Sequence, residues 1–288
     1  MLRQIIVFTR DSNLESCRAL AQSAKRRDLP CLFFKPFNSP FGPVIDQVLK
    51  GNCLIVPRTS GVLFDDWDLT LLQECIEKGA FSTHSPESIA RLRDKDRQYL
   101  LLKKAGLHCL PTLIHRGPLS MNHLENFTSS EKWVVKSTRG NKGIGHQLLT
   151  SSELIHWWEG QVKKQDQRYI IQAFYEKTCE QRLLVLGEDQ YLFQKKQGAS
   201  WKKNASSSEF VAATPSENQK PYLKHMKKVI NETLGLQTFA IDFFVEQESN
   251  HSYSILEVNA HPGMGAANAA LGNEVNLYDD FINYFCKR

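Results

Sequence analysis

The chain has 288 residues, with 36 basic against 31 acidic side chains and a formal charge of +5. That length supports a sizeable core in about two or three subdomains, and the hydrophobic fraction of 41% is that of an ordinary soluble protein. No apolar run reaches the length of a membrane helix, and the modest, dispersed charge suits polyanionic ligands or acidic tails, not nucleic acid. Seven cysteines without a CxxC pair read as reduced core residues, not zinc ligands. The start, MLRQIIVFTR, lacks the order of a signal peptide, so the expectation is a cytoplasmic protein.

Gln4–Thr9 predicts a strand, Asn13–Arg27 a helix and Pro30–Phe34 a second strand. A turn cluster at Asn38–Pro43 precedes a short helix, Val44–Lys50, and a third strand, Cys53–Val56. Leu69–Lys78 is an amphipathic helix stopped by Gly79. Strands and helices alternating at this spacing predict a small open α/β domain over residues 1–90, without a dinucleotide fingerprint. Ser85-Pro86-Glu87 opens a helix, and Asp94 is placed to cap another, Lys95–Ala105, which Gly106 ends.

Residues 91–170 then read as a central subdomain. Trp133–Ser137 is a strand, Arg139–Gly145 a basic, glycine-rich hairpin tip and HQLLT the return strand. Ser151 is expected to cap a helix running to Lys163, before a buried strand, Tyr169–Phe174. In residues 171–288, Arg182–Leu186 and Gln190–Gln194 form a hairpin, and Gln197–Ser208 is a polar loop. Pro221–Leu234 is a helix ended by Gly235, and Asn276–Phe285 is the closing helix.

The chemistry concentrates in Thr238–Met264. Phe239–Val245 is apolar except for Asp242, and Tyr253–Val258 runs apolar into Glu257 and then Asn259. Side chains alternate along a strand, so Glu257 and Asn259 share a face, and hairpin pairing would set Asp242 opposite. Three oxygen donors on an apolar sheet suit a hard divalent cation; a solvated carboxylate or a salt bridge is the plainer reading. Gly140, Gly143 and Gly145 permit close backbone approach, and with Arg139 and Lys142 they suit phosphates. Lys136 lies inside an apolar strand and must send its ammonium to an anion or to water. Lys95 at a helix start opposes the helix dipole unless an anion is near. Arg182 suits bidentate clamping, whereas Lys195, Lys196 and Lys203 read as solvated loop charges and His261 as a loop residue lining the site. No nucleophile–base order supports covalent catalysis.

In order and spacing these pieces resemble the ATP-grasp superfamily, and within it the RimK-like glutamate ligases. The segments that carry the resemblance are Pro57–Gly61, Ser85–Thr112, Val134–Gly145, Tyr169–Glu176, Glu180–Gly187, Trp201–Asn204, Ala240–Val245 and Leu256–Met264. The resemblance implies an α/β (α+β) fold holding ATP between two β-sheet subdomains behind the N-terminal domain. It implies that Lys95 and Lys136 contact the nucleotide phosphates under the glycine loop. Gln172, Ala173, Phe174 and Tyr175 would form the hinge that reads adenine, with Glu180 on the ribose. Arg182, Lys202 and Asn204 would face the transferred phosphate, and Asp242, Glu257 and Asn259 would hold two Mg²⁺ ions, Mn²⁺ being the alternative ion. The implied activity joins a substrate carboxylate to an amine, with a metabolite, peptide or protein tail as partner and a homo-oligomer as the assembly. Four stretches depart from the family pattern: Ala173 for the common Glu, Glu180-Gln181-Arg182 for Asp-x-Arg, Lys202-Lys203-Asn204 for Arg-x-Asn, and Ser206–Ser208 where a glycine pair is expected. They motivate a second expectation, a weakened nucleotide-binding regulator or scaffold of the same fold.

Overall fold

The computed structural model describes residues 2–59, 65–140, 145–162, 168–175, 179–196, 209–245, 253–272 and 275–287. Three sheets organise them. The first is parallel, in the order β2-β1-β3-β4, from β1 (Gln4–Phe8), β2 (Cys31–Phe34), β3 (Cys53–Pro57) and β4 (Phe81–Ser82). It carries α1 (Glu15–Lys25), α2 (Gly42–Leu49) and α3 (Trp67–Glu77). β1 and β3 are almost wholly apolar and buried along their length, as parallel strands with both faces covered must be. Ile6, Phe8 and Ile55 pack with Val48, Leu71 and Leu72 of α2 and α3, while Ile5, Val7 and Val56 pack with Leu20 of α1.

α4 (Pro86–Arg93) starts at Ser85, whose Oγ accepts the Ser88 N–H at 3.1 Å, and α5 (Lys95–Lys104) follows. The second sheet is antiparallel, β5-β8-β6-β7, from β5 (Thr112–Leu113), β6 (Lys132–Ser137), β7 (Gln147–Thr150) and β8 (Tyr169–Ala173). Its α6 (Met121–Phe127) and α7 (Ser151–Val162) bury Leu124, Leu154 and Trp158 against Trp133, Val135 and Ile171. Thr150, not Ser151, caps α7: its Oγ1 accepts the Glu153 N–H at 3.4 Å, and the Glu153 carboxylate accepts the Thr150 N–H at 2.8 Å. Ser151 is diverted because its Oγ accepts the indole N–H of Trp133 at 2.9 Å.

The third sheet is antiparallel, β11-β10-β9-β12-β13, from β9 (Cys179–Leu186), β10 (Asp189–Lys195), β11 (Phe210–Ala213), β12 (Thr238–Val245) and β13 (Tyr253–Asn259). α8 (Gln219–Leu234), ended by Gly235 in the left-handed region, covers one face. There Leu183, Val185, Phe239, Ile241 and Phe243 meet Leu223, Met226 and Ile230. α9 (Gly265–Ala270) and α10 (Leu277–Cys286) lie across the other face. Leu184, Leu186, Phe193 and Ala240 share one core there with Leu277 and Phe281 of α10 and with Ile5 and Leu20 of the first domain. Arg26 and Arg27 of α1 add ion pairs to Asp279 of α10, at 2.8 and 2.7 Å.

The first and third sheets therefore share a core, and the second keeps its own. Among the described residues no helix is long and apolar enough to cross a membrane. Phe239→Ala removes a fully buried ring from the face under α8 and is expected to destabilise by about 3–5 kcal/mol. Leu100→Ala, at a side chain 55% exposed, is expected to change stability by less than about 0.5 kcal/mol; urea unfolding midpoints test both.

Candidate active site

β12 and β13 present three oxygen-bearing side chains on one face, and a β-bulge makes this possible. Phe243 pairs with Ile255, but its neighbour Asp242 pairs with Glu257, so Leu256 is an extra residue on β13. Without it, Glu257 and Asn259 would point into the core beneath α8, where Tyr253 and Ile255 already pack. With it, Val258 and Ala260 take up the core face, and Glu257 and Asn259 turn to the cleft beside Asp242. The Asn259 amide donates toward Glu257 Oε1 at 3.2 Å and Asp242 Oδ2 at 3.4 Å. An N–H donor thus stands between two carboxylates, where a hard cation would fit; turned over, the same amide would offer its oxygen.

Cations surround these oxygens. Arg182 sits opposite Asp242 on β9 and clamps it with two hydrogen bonds of 2.6 Å, its guanidinium 5.0 Å from the ring centre of Phe210. Burial lowers the Arg182 pKa, but the Asp242 charge outweighs it and the net shift is upward. Lys195 of β10 reaches Glu180 of β9 at 2.6 Å, both side chains buried. Lys195 is therefore part of the cleft face and not a solvated loop charge. Register decides this: Gln194 pairs with Gln181, which brings Lys195 opposite Glu180. A lysine ending an alternating apolar strand was the available sequence signal.

Lys136 and Lys95 approach from the second sheet and from α5. Lys136 is held by the β6–β8 ladder, and its ammonium makes no hydrogen bond or ion pair among the described residues. Burial depresses its pKa, the neighbouring Lys95 and Lys195 add to this, and Glu257 opposes it. Burial likewise depresses Lys95, with Glu257 and Asp94 opposing. Burial alone would raise the Glu257 carboxyl, yet the Lys95 and Lys136 charges, with help from Asn259 and Arg182, hold it at about 2. Glu257 is ionised at any ordinary pH. Four cations, Lys95, Lys136, Arg182 and Lys195, face three carboxylates, Glu180, Asp242 and Glu257. The face is short of negative charge, as a polyanion site must be before its ligand arrives.

The root of the glycine loop is tied to this cluster. The Lys95 ammonium donates to the Gly140 carbonyl at 2.6 Å, and its backbone N–H donates to the Thr138 carbonyl at 2.9 Å. Gly140 has φ +142°, a conformation closed to side-chain-bearing residues. Arg139, expected over phosphates, instead turns to Asp94 at 2.6 Å and Asp66 at 3.2 Å. Asp94 occupies the N-cap position of α5 without capping it. Its wholly buried carboxylate is taken by Arg139 and by Arg168 at 2.9 Å. Burial opposes ionisation of Asp94, but the two guanidinium groups outweigh it and lower the pKa.

The hinge positions lie at the end of β8. Gln172 is buried, with its amide donating to Thr112 Oγ1 at 2.7 Å, and Ala173 is buried behind it. The Phe174 N–H is already given to the Lys132 carbonyl at 2.9 Å, so it is engaged within the sheet. Antiparallel alternation then turns the Ala173 peptide groups to the far edge. Continued by one residue, the β5 register would bring Pro111 opposite Ala173, and proline has no N–H to give. Tyr175 is 40% exposed. Gly145 is described with φ +76°, whereas Gly143, Lys202 and Asn204 lie outside the described residues. A cavity of about 160 Å³ is lined by Lys95, Arg139, Gly140, Glu257, Asn259 and His261, among others. A wider groove of about 520 Å³ between α3 and α4 is open to solvent and carries none of these cations.

Residues 168–283 match the family model described as the inositol 1,3,4-trisphosphate 5/6-kinase ATP-grasp domain. A RimK domain protein ATP-grasp structure from Sphaerobacter thermophilus superimposes with a TM-score of 0.71, at 15% identity over 98% of both chains. The chain has the ATP-grasp fold. In sequence the chain is similar to RimK-like ligases. The probable alpha-L-glutamate ligase of Halorhodospira halophila is 25% identical over 94% of this chain and 92% of its own length. The ribosomal protein bS6--L-glutamate ligase of Escherichia coli O1:K1 / APEC is 22% identical over the same shares. In this ATP-grasp chain, Asp94→Asn leaves Arg139 and Arg168 without their shared partner. The expected loss is about 2 kcal/mol, read from the urea midpoint, with faster amide exchange over residues 137–140. Because the Asp94 pKa is depressed on folding, the wild-type contribution is complete above about pH 4 and fades as the pH falls through the folded value.

Proposed function

We propose that this ATP-grasp ligase couples ATP cleavage to amide formation between a substrate carboxylate and an amino acid's amine. The carboxylate oxygen attacks the γ-phosphorus, ADP leaves, and an acyl phosphate forms. The amine then attacks the acyl carbon, loses a proton, and expels phosphate. The reading rests above all on the charge pattern of the cleft: an ionised Glu257 beside Asp242, ringed by cations that exceed the carboxylates in number.

Phosphoryl transfer asks for positioning and charge neutralisation more than for a nucleophilic side chain. Lys95 and Lys136 would hold the α- and β-phosphates, with Gly140, Gly143 and Gly145 closing over them. Arg182, oriented by Asp242 and stacked on Phe210, would face the transferred phosphoryl group and the acyl phosphate, with Lys202 and Asn204 beside it. The Ala173 backbone and the Gln172–Tyr175 segment would seat the adenine, and Glu180 the ribose. Asp242, Glu257 and Asn259 would bind two Mg²⁺ ions, or Mn²⁺. When bound, the metal supplies charge neutralisation at the phosphate oxygens and holds them in line. The relatives' names support a glutamate donor and a protein acceptor; a peptide or metabolite acceptor and a cytoplasmic setting belong to the same proposal. The described cations of the cleft, Lys95, Lys136 and Arg182, support turnover over a regulator that binds ATP without cleaving it.

A panel of amino acids and acidic peptides, assayed for ADP release with mass spectrometry of the product, tests the reading. Asp242→Asn and Glu257→Gln should each lower turnover at least about a hundredfold while the fold persists. Unchanged Mg²⁺-dependent ADP release in both variants would remove the basis of the assignment. Lys136 carries a second test. Its pKa lies below the 10.5 of an ordinary lysine, so rising pH strips the charge that phosphates need. The KM for ATP is expected to climb with rising pH before the ordinary lysine range is reached, and Lys136→Arg, charged throughout, to flatten that climb.

A further inference from the structure

The segment Pro57–Gly61 carries part of the family resemblance, yet the reading above gives it no role. Arg58 stands just past the carboxyl end of β3. The strand order β2-β1-β3-β4 makes β1 and β3 the place where the chain reverses its direction across the sheet. In open α/β sheets the crevice at such a point, outside the strand ends, is where ligands lodge.

Arg58 lies there within electrostatic reach of two buried polar atoms that lack partners, on Tyr278 and His261. Among the described residues the Arg58 guanidinium has no carboxylate partner; it donates from Nη1 to the Pro262 carbonyl at 3.2 Å. Burial depresses its pKa, and Tyr278 and Cys17 are the groups that act back on it. The Tyr278 hydroxyl, on α10, is buried without a hydrogen-bond partner. So is Nε2 of His261, whose ring stands edge-on to His84 at 4.5 Å and feels the Arg58 charge. Glu15 acts on Tyr278 electrostatically but forms no ion pair with Arg58. A buried water could satisfy the hydroxyl and the imidazole, but it would bring no charge to the half-buried guanidinium. A carboxylate would bring that charge and two acceptor oxygens for the three groups.

The spot adjoins the reacting centre. His261 lies two residues beyond Asn259, about 7 Å of extended chain. It lines the same cavity as Glu257, Asn259 and Thr59. We propose that Arg58, with Tyr278 and His261, is a receptor for the non-reacting carboxylate of a small substrate of amino-acid size. The term substrate rests on the ligase reading; the carboxylate site itself rests only on these three groups. The carboxylate belongs either to the acid substrate or to the incoming amino acid.

The test uses the full chain with Mg²⁺ and a non-hydrolysable ATP analogue. The common L-amino acids, glutarate and succinate, each against its carboxamide counterpart, are titrated by calorimetry and thermal shift. At least one acid is expected to bind, and its carboxamide to bind at least about tenfold more weakly. Arg58→Gln should weaken that acid by about tenfold or more and leave ATP-analogue affinity within about twofold. Tyr278→Phe removes only the partnerless hydroxyl; it should weaken the acid about three- to tenfold without lowering the melting temperature. Because it is isosteric, it keeps the test open if Arg58→Gln fails to fold. No binding by any acid, equal binding of acid and carboxamide, or equal affinity in both variants and wild type overturns the proposal. Under turnover, the substrate whose KM rises in Tyr278→Phe identifies the source of the carboxylate. Acid binding that depends on Arg58, with no ADP ever formed, would sink the ligase reading and leave the receptor standing. ADP formation with Arg58-independent binding would do the reverse.

Discussion

Leu256 is squeezed out of the β12–β13 ladder, and the orientation of Glu257 follows from that displacement. A strand has a two-residue period, so one inserted residue exchanges its faces from that point on. Before the bulge, Tyr253 and Ile255 feed the core under α8; after it, Val258 and Ala260 do. The polar pair between them is delivered to the opposite face beside Asp242. The apolar residues on either side pin the register, because any slip would bury Glu257 among leucines without a partner.

Charge on the resulting face is deliberately unbalanced. Arg182 and Asp242, and Lys195 and Glu180, neutralise one another at close range. Lys136 and Lys95 are left to act on Glu257 from a distance, which is why burial depresses their pKa values while Glu257 is held at about 2. Such an arrangement leaves buried positive charge that a polyanion would neutralise. Stability and function pull apart here: hydrophobic residues would pack the face more favourably, but would bind no triphosphate.

Mechanical organisation follows from where the cores are continuous. α10 fills the space between the first and third sheets, so the carboxylates and Arg58 are fixed within one body. The second sheet, which carries Lys136 and the glycine loop, has a core of its own. Its link to the rest includes polar contacts, notably Arg139 and Arg168 on Asp94 and Arg139 on Asp66. Polar contacts can be exchanged with water at modest cost, whereas an apolar core cannot be opened so easily. A nucleotide between the two bodies would contact parts joined in part by polar contacts that water can replace.

Local patterns made much of this legible in the residues. Apolar runs in β1 and β3, the glycine stops at Gly79 and Gly235, and Asp242, Glu257 and Asn259 as a set depend on periodicity and residue chemistry, which neighbours in the chain supply. What depended on distant partners was not legible. Asp94 looked like a helix cap until Arg139 and Arg168, from another sheet, claimed its carboxylate. Ser151 yielded its capping place to Thr150 because Trp133 took its hydroxyl. Lys195 looked solvated because its strand partner, Glu180, lies fifteen residues away across a hairpin. The short β5 and α6 escaped detection because they are too brief for a period to show. The sequence by itself therefore determined which residues form elements and which chemistry they carry. Only the tertiary structure decided which charges meet, because pairing energy depends on distances in space that no local pattern encodes.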